Sequence, residues 1–417
     1  MARKLLWVSP FSLHDTSSGA AVQCKAMLEQ LAKKGIEVKV LGSFIFDSPR
    51  GTTYFPKLEE ELKNRGTQPV VIKDEENNIE YHYTICQSRA MEDFTYAESW
   101  SFFQYFSMLC NSFRPDIAMG YGTGTSGIAV HSEAKRRGIP FVYPLCNANH
   151  PYYTFEDCDL LITESQATAQ LYAARDRLNV QASGIFINQE SFVSKEREPK
   201  YVTMVNPCIT KGVSIFAKLA QIAQKELPNV KFLAVDGRGS FGDSISALHL
   251  PESEETPYSA QMFQNVDIAQ HTNNMKEVYK LTKVLIAPSL AYESWGRVVS
   301  EAVLNKIPVI VSANNGGGLQ EAMAGMGFAV NVPEECLKDH LRIPTDREIK
   351  EWLDALKKAL KKDFSKEFKK AQVALDIETS TQRLLEILEP LFAKKAGFNP
   401  HIIQKGILRM EYDGNYR

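Results

Sequence analysis

Glu293-Ser294-Trp295-Gly296-Arg297-Val298-Val299-Ser300-Glu301 sets two carboxylates seven intervening residues apart, across the end of an apolar strand and the start of a helix. Ser294 has the right chemistry for an N-cap, because its hydroxyl can accept from the unpaired N–H groups of a first turn. About two turns at 3.6 residues each then bring Glu301 to the side of the helix start, with Glu293 in the loop before it. The first-turn N–H groups and the helix dipole make a diphosphate site that needs no metal. A buried glutamate on such a helix can accept both hydrogen bonds of a ribose diol. An ordinary βα unit with two surface glutamates meets the same spacing, and spacing alone does not separate the two.

Three neighbouring segments bear on the choice. Val205-Asn206-Pro207-Cys208-Ile209-Thr210-Lys211-Gly212 closes a strand and opens a helix, with Lys211 at the mouth. A compact ammonium there can meet a diphosphate, although a surface lysine before a helix would read the same. Asp236-Gly237-Arg238-Gly239 follows another strand, and Arg238 there is equally suited to phosphate or to solvent. After Ile307-Pro308-Val309-Ile310-Val311 comes Asn314-Asn315-Gly316-Gly317-Gly318, with Glu321 just beyond.

Together these residues resemble the retaining glycosyltransferases of the GT-B fold, specifically family 4, over roughly residues 201–335. The pattern is the two glutamates in E-x7-E, Pro308-Val309 at the next strand, Gly316-Gly317-Gly318 and Glu321. The resemblance implies an α/β chain of two Rossmann-like parallel-sheet domains facing a central cleft. It implies transfer of a sugar from a nucleoside-diphosphate donor, of the UDP or GDP type, to a glycan, lipid-linked or other acceptor with retention. No cofactor beyond that co-substrate and no metal is expected.

By the same resemblance Glu293, Lys211 and Arg297 are the catalytic candidates. Gly19, Asn206, Gly212, Gly237, Arg238, Ser294, Trp295, Gly296, Glu301 and Gly316 to Gly318 are the donor-binding ones. Glu293 and the glycine backbone would orient the sugar, and Glu301 would hold the ribose. The family has an arginine where this chain has Asn206, so Arg297 is the candidate to supply the missing charge. A nucleotide-sugar epimerase or hydrolase on the same scaffold, or a catalytically silent binding subunit, would carry much of the same pattern.

Elsewhere the signals are weaker. Ser17-Ser18-Gly19-Ala20 joins the first strand to the first helix and matches the family's donor loop by a single glycine. Gly122-Thr123-Gly124-Thr125-Ser126-Gly127 is a literal G-x-G-x-x-G between a strand and a helix. A dinucleotide fingerprint also needs a carboxylate at the end of the next strand. That strand ends at Leu145-Cys146-Asn147, so the glycines are read as allowing close backbone approach on the acceptor side. His150 lies near the place of the family's active-site histidine, which Cys146 or Asn147 occupies, and Gly122, Gly124 and His150 are the acceptor-side candidates. His271, in the segment that frames the base in the family, reads as structural. The aromatic run from Phe94 to Phe113 has no Lys or Arg, unlike a membrane-surface helix, and reads as a core helix with residues left for an acceptor groove.

These candidates must be positioned by repeated βα units. Strands are expected at 5–9, 37–41, 116–119, 141–145, 160–163 and 184–187, with an inserted hairpin at 70–85. The polar stretch 189–200 reads as an inter-domain linker. A second series follows at 201–205, 230–235, 266–269, 284–287, 308–311 and 329–332, then helices over 349–362 and 366–392. The expected domains are 1–190, completed by a C-terminal helix at 375–417 in the family's manner, and 201–374.

At 417 residues the chain suits two domains. A hydrophobic content of 44%, a charged content of 24% and a net charge of −2 fit a globular protein with no field for nucleic acid. The seven scattered cysteines, the lack of a long apolar run and the short apolar core after Met1 point to a cytoplasmic protein. Peripheral membrane association and oligomeric state stay open.

Overall fold

The computed structural model describes residues 3–63, 68–251, 253, 255–315 and 317–395. The chain forms two compact units. One comprises residues 1–163, 172–183 and 381–417, and the other 164–171 and 184–380.

The first unit is built on eight strands: β1 (Lys4–Val8), β2 (Glu37–Ser43), β3 (Val70–Asp74), β4 (Ile79–Thr84), β5 (Ile117–Met119), β6 (Phe141–Leu145), β7 (Leu160–Thr163) and β8 (Val180–Ala182). Their order is β3-β4-β2-β1-β5-β6-β7-β8. All neighbours pair in parallel except β3 with β4. Leu5, Leu6, Trp7 and Val8 are all buried, as an unbroken apolar run must be in a strand covered on both faces. The helix Gly19–Lys33 begins where the Ser18 hydroxyl accepts from the Ala21 N–H at 3.4 Å. It closes before Gly35, whose φ of +85° suits the left-handed position after a helix. The helix Tyr96–Phe113 starts with a capping box between Thr95 and Glu98. Burial alone would raise the Glu98 carboxyl, but N–H donors from Thr95 and Ser88 hold it down at about 2.

The second unit has six parallel strands: β9 (Tyr201–Val205), β10 (Lys231–Val235), β11 (Val266–Ala269), β12 (Thr282–Ala287), β13 (Val309–Ser312) and β14 (Gly327–Val330). Their order is β11-β10-β9-β12-β13-β14. Side chains alternate between faces along a strand. Val284, Ile286 and Ile310 thus join one core with the helices Val213–Glu226 and Lys350–Ala359. Leu285, Val309 and Val311 join the other, with the helix Arg297–Leu304. Because β9, β12 and β13 are parallel neighbours, the loops that follow them leave one edge of this sheet. Lys211, Glu293 and the glycine loop are carried on those three loops.

Several elements differ from the sequence reading. The strand expected at 184–187 lies earlier, at Val180–Ala182. Gly184 turns the chain at φ +94°, and Ile185 and Ile187 are buried in the second unit's core without strand pairing. Burial, rather than sheet pairing, explains that apolar run. The hairpin at 70–85 is not an insertion, because β4 pairs in parallel with β2 and extends the main sheet.

The stretch expected as a linker is packed onto the second unit. The Asn305 side chain takes the Ser194 N–H at 2.8 Å and donates to the Phe192 carbonyl at 3.1 Å. Arg197 donates to the carbonyls of Asn305 and Thr282, and Lys280 pairs with Glu196 and Glu198. The polar residues that looked like solvated linker are partners for this surface. The terminal helical region is split into Ser365–Ala374 and Ile377–Lys395, and residues 396–417 of the expected crossing helix lie outside the described residues.

Candidate functional site

At the C-terminal edge of the second sheet, Ile209–Lys211 forms a short turn after β9. Gly212 then adopts φ +80° as the N-cap of the helix Val213–Glu226. A Cβ on Gly212 would stand 2.0 Å from the Pro288 carbonyl oxygen, so only glycine lets these two loops touch. The N–H groups of Leu290 and Ala291 both donate to the Thr210 carbonyl at 3.0 Å. This docking brings the Lys211 ammonium onto Glu293 Oε1. The buried Ser289 hydroxyl donates to the same oxygen at 2.8 Å.

The glycine loop closes this arrangement from the β13 side. Gly318 N–H donates to the Glu293 carbonyl at 2.8 Å. A Cβ on Gly317 would lie 2.2 Å from that same carbonyl oxygen, and one on Gly318 would lie 2.3 Å from the Ser294 carbonyl oxygen. The close approach demanded of these glycines is thus to the Glu293 loop itself. Gly316 lies outside the described residues. Glu321 accepts from the N–H groups of Gln166 and Ala167 at 2.9 and 2.8 Å, at the start of the helix Gln166–Asp176. A carboxylate there is favoured by the helix dipole.

The helix bearing Glu301 departs from expectation. It spans Arg297–Leu304, and its N-cap is Gly296 at φ +94°, not Ser294. The Ser294 hydroxyl is buried and has no hydrogen-bond partner among the described residues. Trp295 is a core residue, its indole N–H donating to Ser300 Oγ at 2.8 Å, rather than a donor-facing one. Glu301 is 3% exposed. Its Oε2 accepts from the Tyr279 hydroxyl at 2.7 Å, and its Oε1 pairs with Arg297 at 3.2 Å. Burial and the adjoining Glu301 carboxylate push the Tyr279 phenol well above its ordinary value, so it stays a donor. Arg297 also donates to the Phe186 carbonyl at 3.0 Å and lies over the Phe192 ring. The expected ribose acceptor and the expected compensating cation are therefore each other's partners inside the unit. The i, i+4 spacing and the apolar surroundings favour that pairing.

Asn206 is engaged with protein as well. At φ +58° it turns its amide toward the next loop, and its Oδ1 accepts from Gly239 N–H at 3.2 Å. A Cβ on Gly237 would press on that oxygen at 2.7 Å, so Asn206 braces the 236–239 loop. Arg238 is exposed at its tip.

In the first unit Gly19 is the opening residue of its helix, and Gly124 is the N-cap of the helix Thr125–Arg136. Gly122, at φ +156°, packs its carbonyl where a Cβ on Gly127 would come within 2.3 Å. The fingerprint-like glycines thus serve a tight strand-to-helix turn. His150 donates its backbone N–H to the Tyr172 hydroxyl at 3.3 Å and sets its ring edge-on to Tyr143. Burial, then the Arg175 charge, lowers the His150 imidazole to about 4, so it is neutral near pH 7. On the helix Tyr96–Phe113 one face is core, with Phe102 and Phe106 buried, while Tyr96 and Trp100 are exposed.

Ser289, Tyr279 and Asn315 were not singled out from sequence. Only Ser289 had a readable signal, a hydroxyl directly after Pro288 at a strand end. Among the described residues no group of three or more His, Cys, Asp or Glu could hold a metal ion, and no helix is long and apolar enough to cross a membrane.

Residues 186–363 match the family model for Glycosyl transferases group 1. Over 94% of the chain the fold matches sucrose-phosphate synthase from Thermosynechococcus elongatus, covering 100% of that chain at 15% identity and a TM-score of 0.61. A glycosyltransferase from Rickettsia africae matches over 94% of this chain and 98% of its own, at 11% identity and a TM-score of 0.63. The Anabaena protein HepE in complex with UDP and glucose matches over 93% and 100%, at 15% identity and a TM-score of 0.60. No curated protein matches the chain. The class these findings define is the two-domain GT-B glycosyltransferase. The residues that match the group 1 model, 186–363, lie within the second unit.

Proposed function

We propose that this protein is a retaining, metal-independent glycosyltransferase, similar to family 4. It would move a sugar from a nucleoside-diphosphate donor of the UDP or GDP type to a glycan or lipid-linked acceptor. The observation that carries the reading is the convergence of Lys211 and Ser289 on one carboxylate oxygen of Glu293, at the strand ends of the region that matches the group 1 model. Lys211, turned to the bound donor, supplies positive charge for the departing diphosphate, and Glu293 accepts from hydroxyls of the transferring sugar. Such preorganised charge lowers the barrier because it need not reorient as the leaving group develops. Binding of UDP and glucose by the similar Anabaena protein supports a nucleotide-sugar donor. Asn206 and Arg297 are left out of the leaving-group site, since each is engaged with protein.

The test is incubation with a panel of UDP-, GDP- and ADP-sugars and candidate acceptors, read by mass spectrometry, with NMR of the product anomer. A glycosylated acceptor with the donor's anomeric configuration supports the proposal. Free or isomerised sugar would make the protein a hydrolase or epimerase, and binding without turnover a silent subunit. With the donor identified, Glu293→Gln is expected to sharply reduce turnover while calorimetry shows free nucleotide binding nearly unchanged. Full activity in that variant would remove Glu293 from the site.

A further inference from the structure

The two oxygens of Glu293 are not equivalent. Oε1 receives both the Lys211 ammonium and the Ser289 hydroxyl. Among the described residues Oε2 takes no hydrogen bond from the protein. A carboxylate pinned through one oxygen has its rotamer set and presents the other. We infer that Ser289 is a positioning residue, resting on the function proposed above: it holds Glu293 so that Oε2 is the oxygen that meets the sugar hydroxyls.

The frame behind Ser289 supports this. Its carbonyl accepts from the Ser312 hydroxyl at 2.8 Å, from the end of β13. The Asn315 amide donates to that same carbonyl and to the Ala291 carbonyl, both at 3.1 Å. The 289–291 segment is thereby tied to the neighbouring strand and to the head of the glycine loop, while Gly318 N–H holds the Glu293 carbonyl. The Lys211 side chain is 37% exposed, against 2% exposure for Ser289. The lysine can swing toward a diphosphate when a donor enters; the serine cannot leave. Ser289 is then the donor that keeps Glu293 in place through the reaction, whichever way Lys211 turns.

The full-length chain is assayed with the donor found in the panel. Ser289→Ala is expected to lower kcat by roughly 10- to 100-fold, the scale on which a misplaced reacting group acts. KM for the donor and the affinity for free nucleoside diphosphate should hold. Ser289→Thr, which keeps the hydroxyl, should recover most of kcat. Ser312→Ala, which frees the Ser289 carbonyl of one donor without touching Glu293, should give a milder loss and carries the test if the alanine variant does not fold. In a Glu293→Gln background, Ser289→Ala should change the single-turnover rate no further, because both act through one carboxylate. Wild-type kcat in a folded Ser289→Ala, a threonine variant as slow as the alanine, or a parallel loss of nucleotide affinity would overturn the positioning role alone. A wild-type protein that transfers no sugar would overturn the proposed function and this inference with it.

Discussion

Arg297 shows how far one guanidinium's position changes its meaning. At the first turn of a helix expected to receive a diphosphate, it reads as a catalytic cation. In the structure its side chain is 12% exposed, paired with Glu301 and bonded to the Phe186 carbonyl. Removing one member of a buried ion pair leaves the other charge uncompensated, which costs about 3–5 kcal/mol. Arg297→Ala should therefore lower stability by about that amount in chemical denaturation. The double variant Arg297→Met/Glu301→Leu should recover much of it, because apolar replacement removes both charges. Unchanged stability in Arg297→Ala would show that the guanidinium is solvated and reopen its catalytic candidacy.

At the scale of elements, two kinds of glycine sit in similar loop-to-helix sequence. Gly317 is pressed against the Glu293 backbone, with a Cβ calling for a 2.2 Å contact to a carbonyl oxygen. Gly242, in the first turn of the helix Phe241–Ser246, has nothing within 4 Å of its Cβ position and no positive φ. Gly317→Ala should displace the Glu293 loop and depress turnover in a protein that still folds. Gly242→Ala should stabilise by about 0.4–1 kcal/mol by restricting the unfolded chain. Thermal unfolding and steady-state rates on both variants check this, and wild-type turnover in Gly317→Ala would mean that the loop can yield. The βα succession was legible because an unbroken apolar run such as Leu5 to Val8 has one stable use in a parallel sheet. The 184–187 run was not, since Ile185 and Ile187 satisfy the same apolar requirement by packing beside the helix Arg297–Leu304.

Over the whole molecule, buried histidines tie stability to pH on the acid side. Burial lowers His14 to about 3, and His131 and His150 to about 4. A histidine depressed in the folded state stabilises above its unfolded value, near 6.5, and that stability is lost as pH falls toward the folded value. Within the window from about 6.5 to 4, each such group should contribute a slope of about 1.4 kcal/mol per pH unit. Urea unfolding should therefore show falling stability between pH 6.5 and 4. His131→Leu should flatten the slope by about one histidine's share, since His131 is 2% exposed against the Phe141 ring. An unchanged slope in that variant would mean that His131 does not resist protonation. By itself the amino-acid sequence determined the succession of parallel βα units, the glycosyltransferase-like pattern around Glu293 and Lys211, and the loops that carry them. These depend on local patterning: apolar runs, strand ends and glycine positions. Only the tertiary structure decided that Glu301 and Arg297 answer each other, that Asn206 braces a loop, and that Ser289 shares Glu293 with Lys211. Those are questions of where a side chain points and what lies within hydrogen-bonding reach of it. Spacing along the chain is silent on both, because the partners arrive from elsewhere in the chain, Tyr279 from the helix Met275–Leu281 and Phe186 and Gly239 from loops.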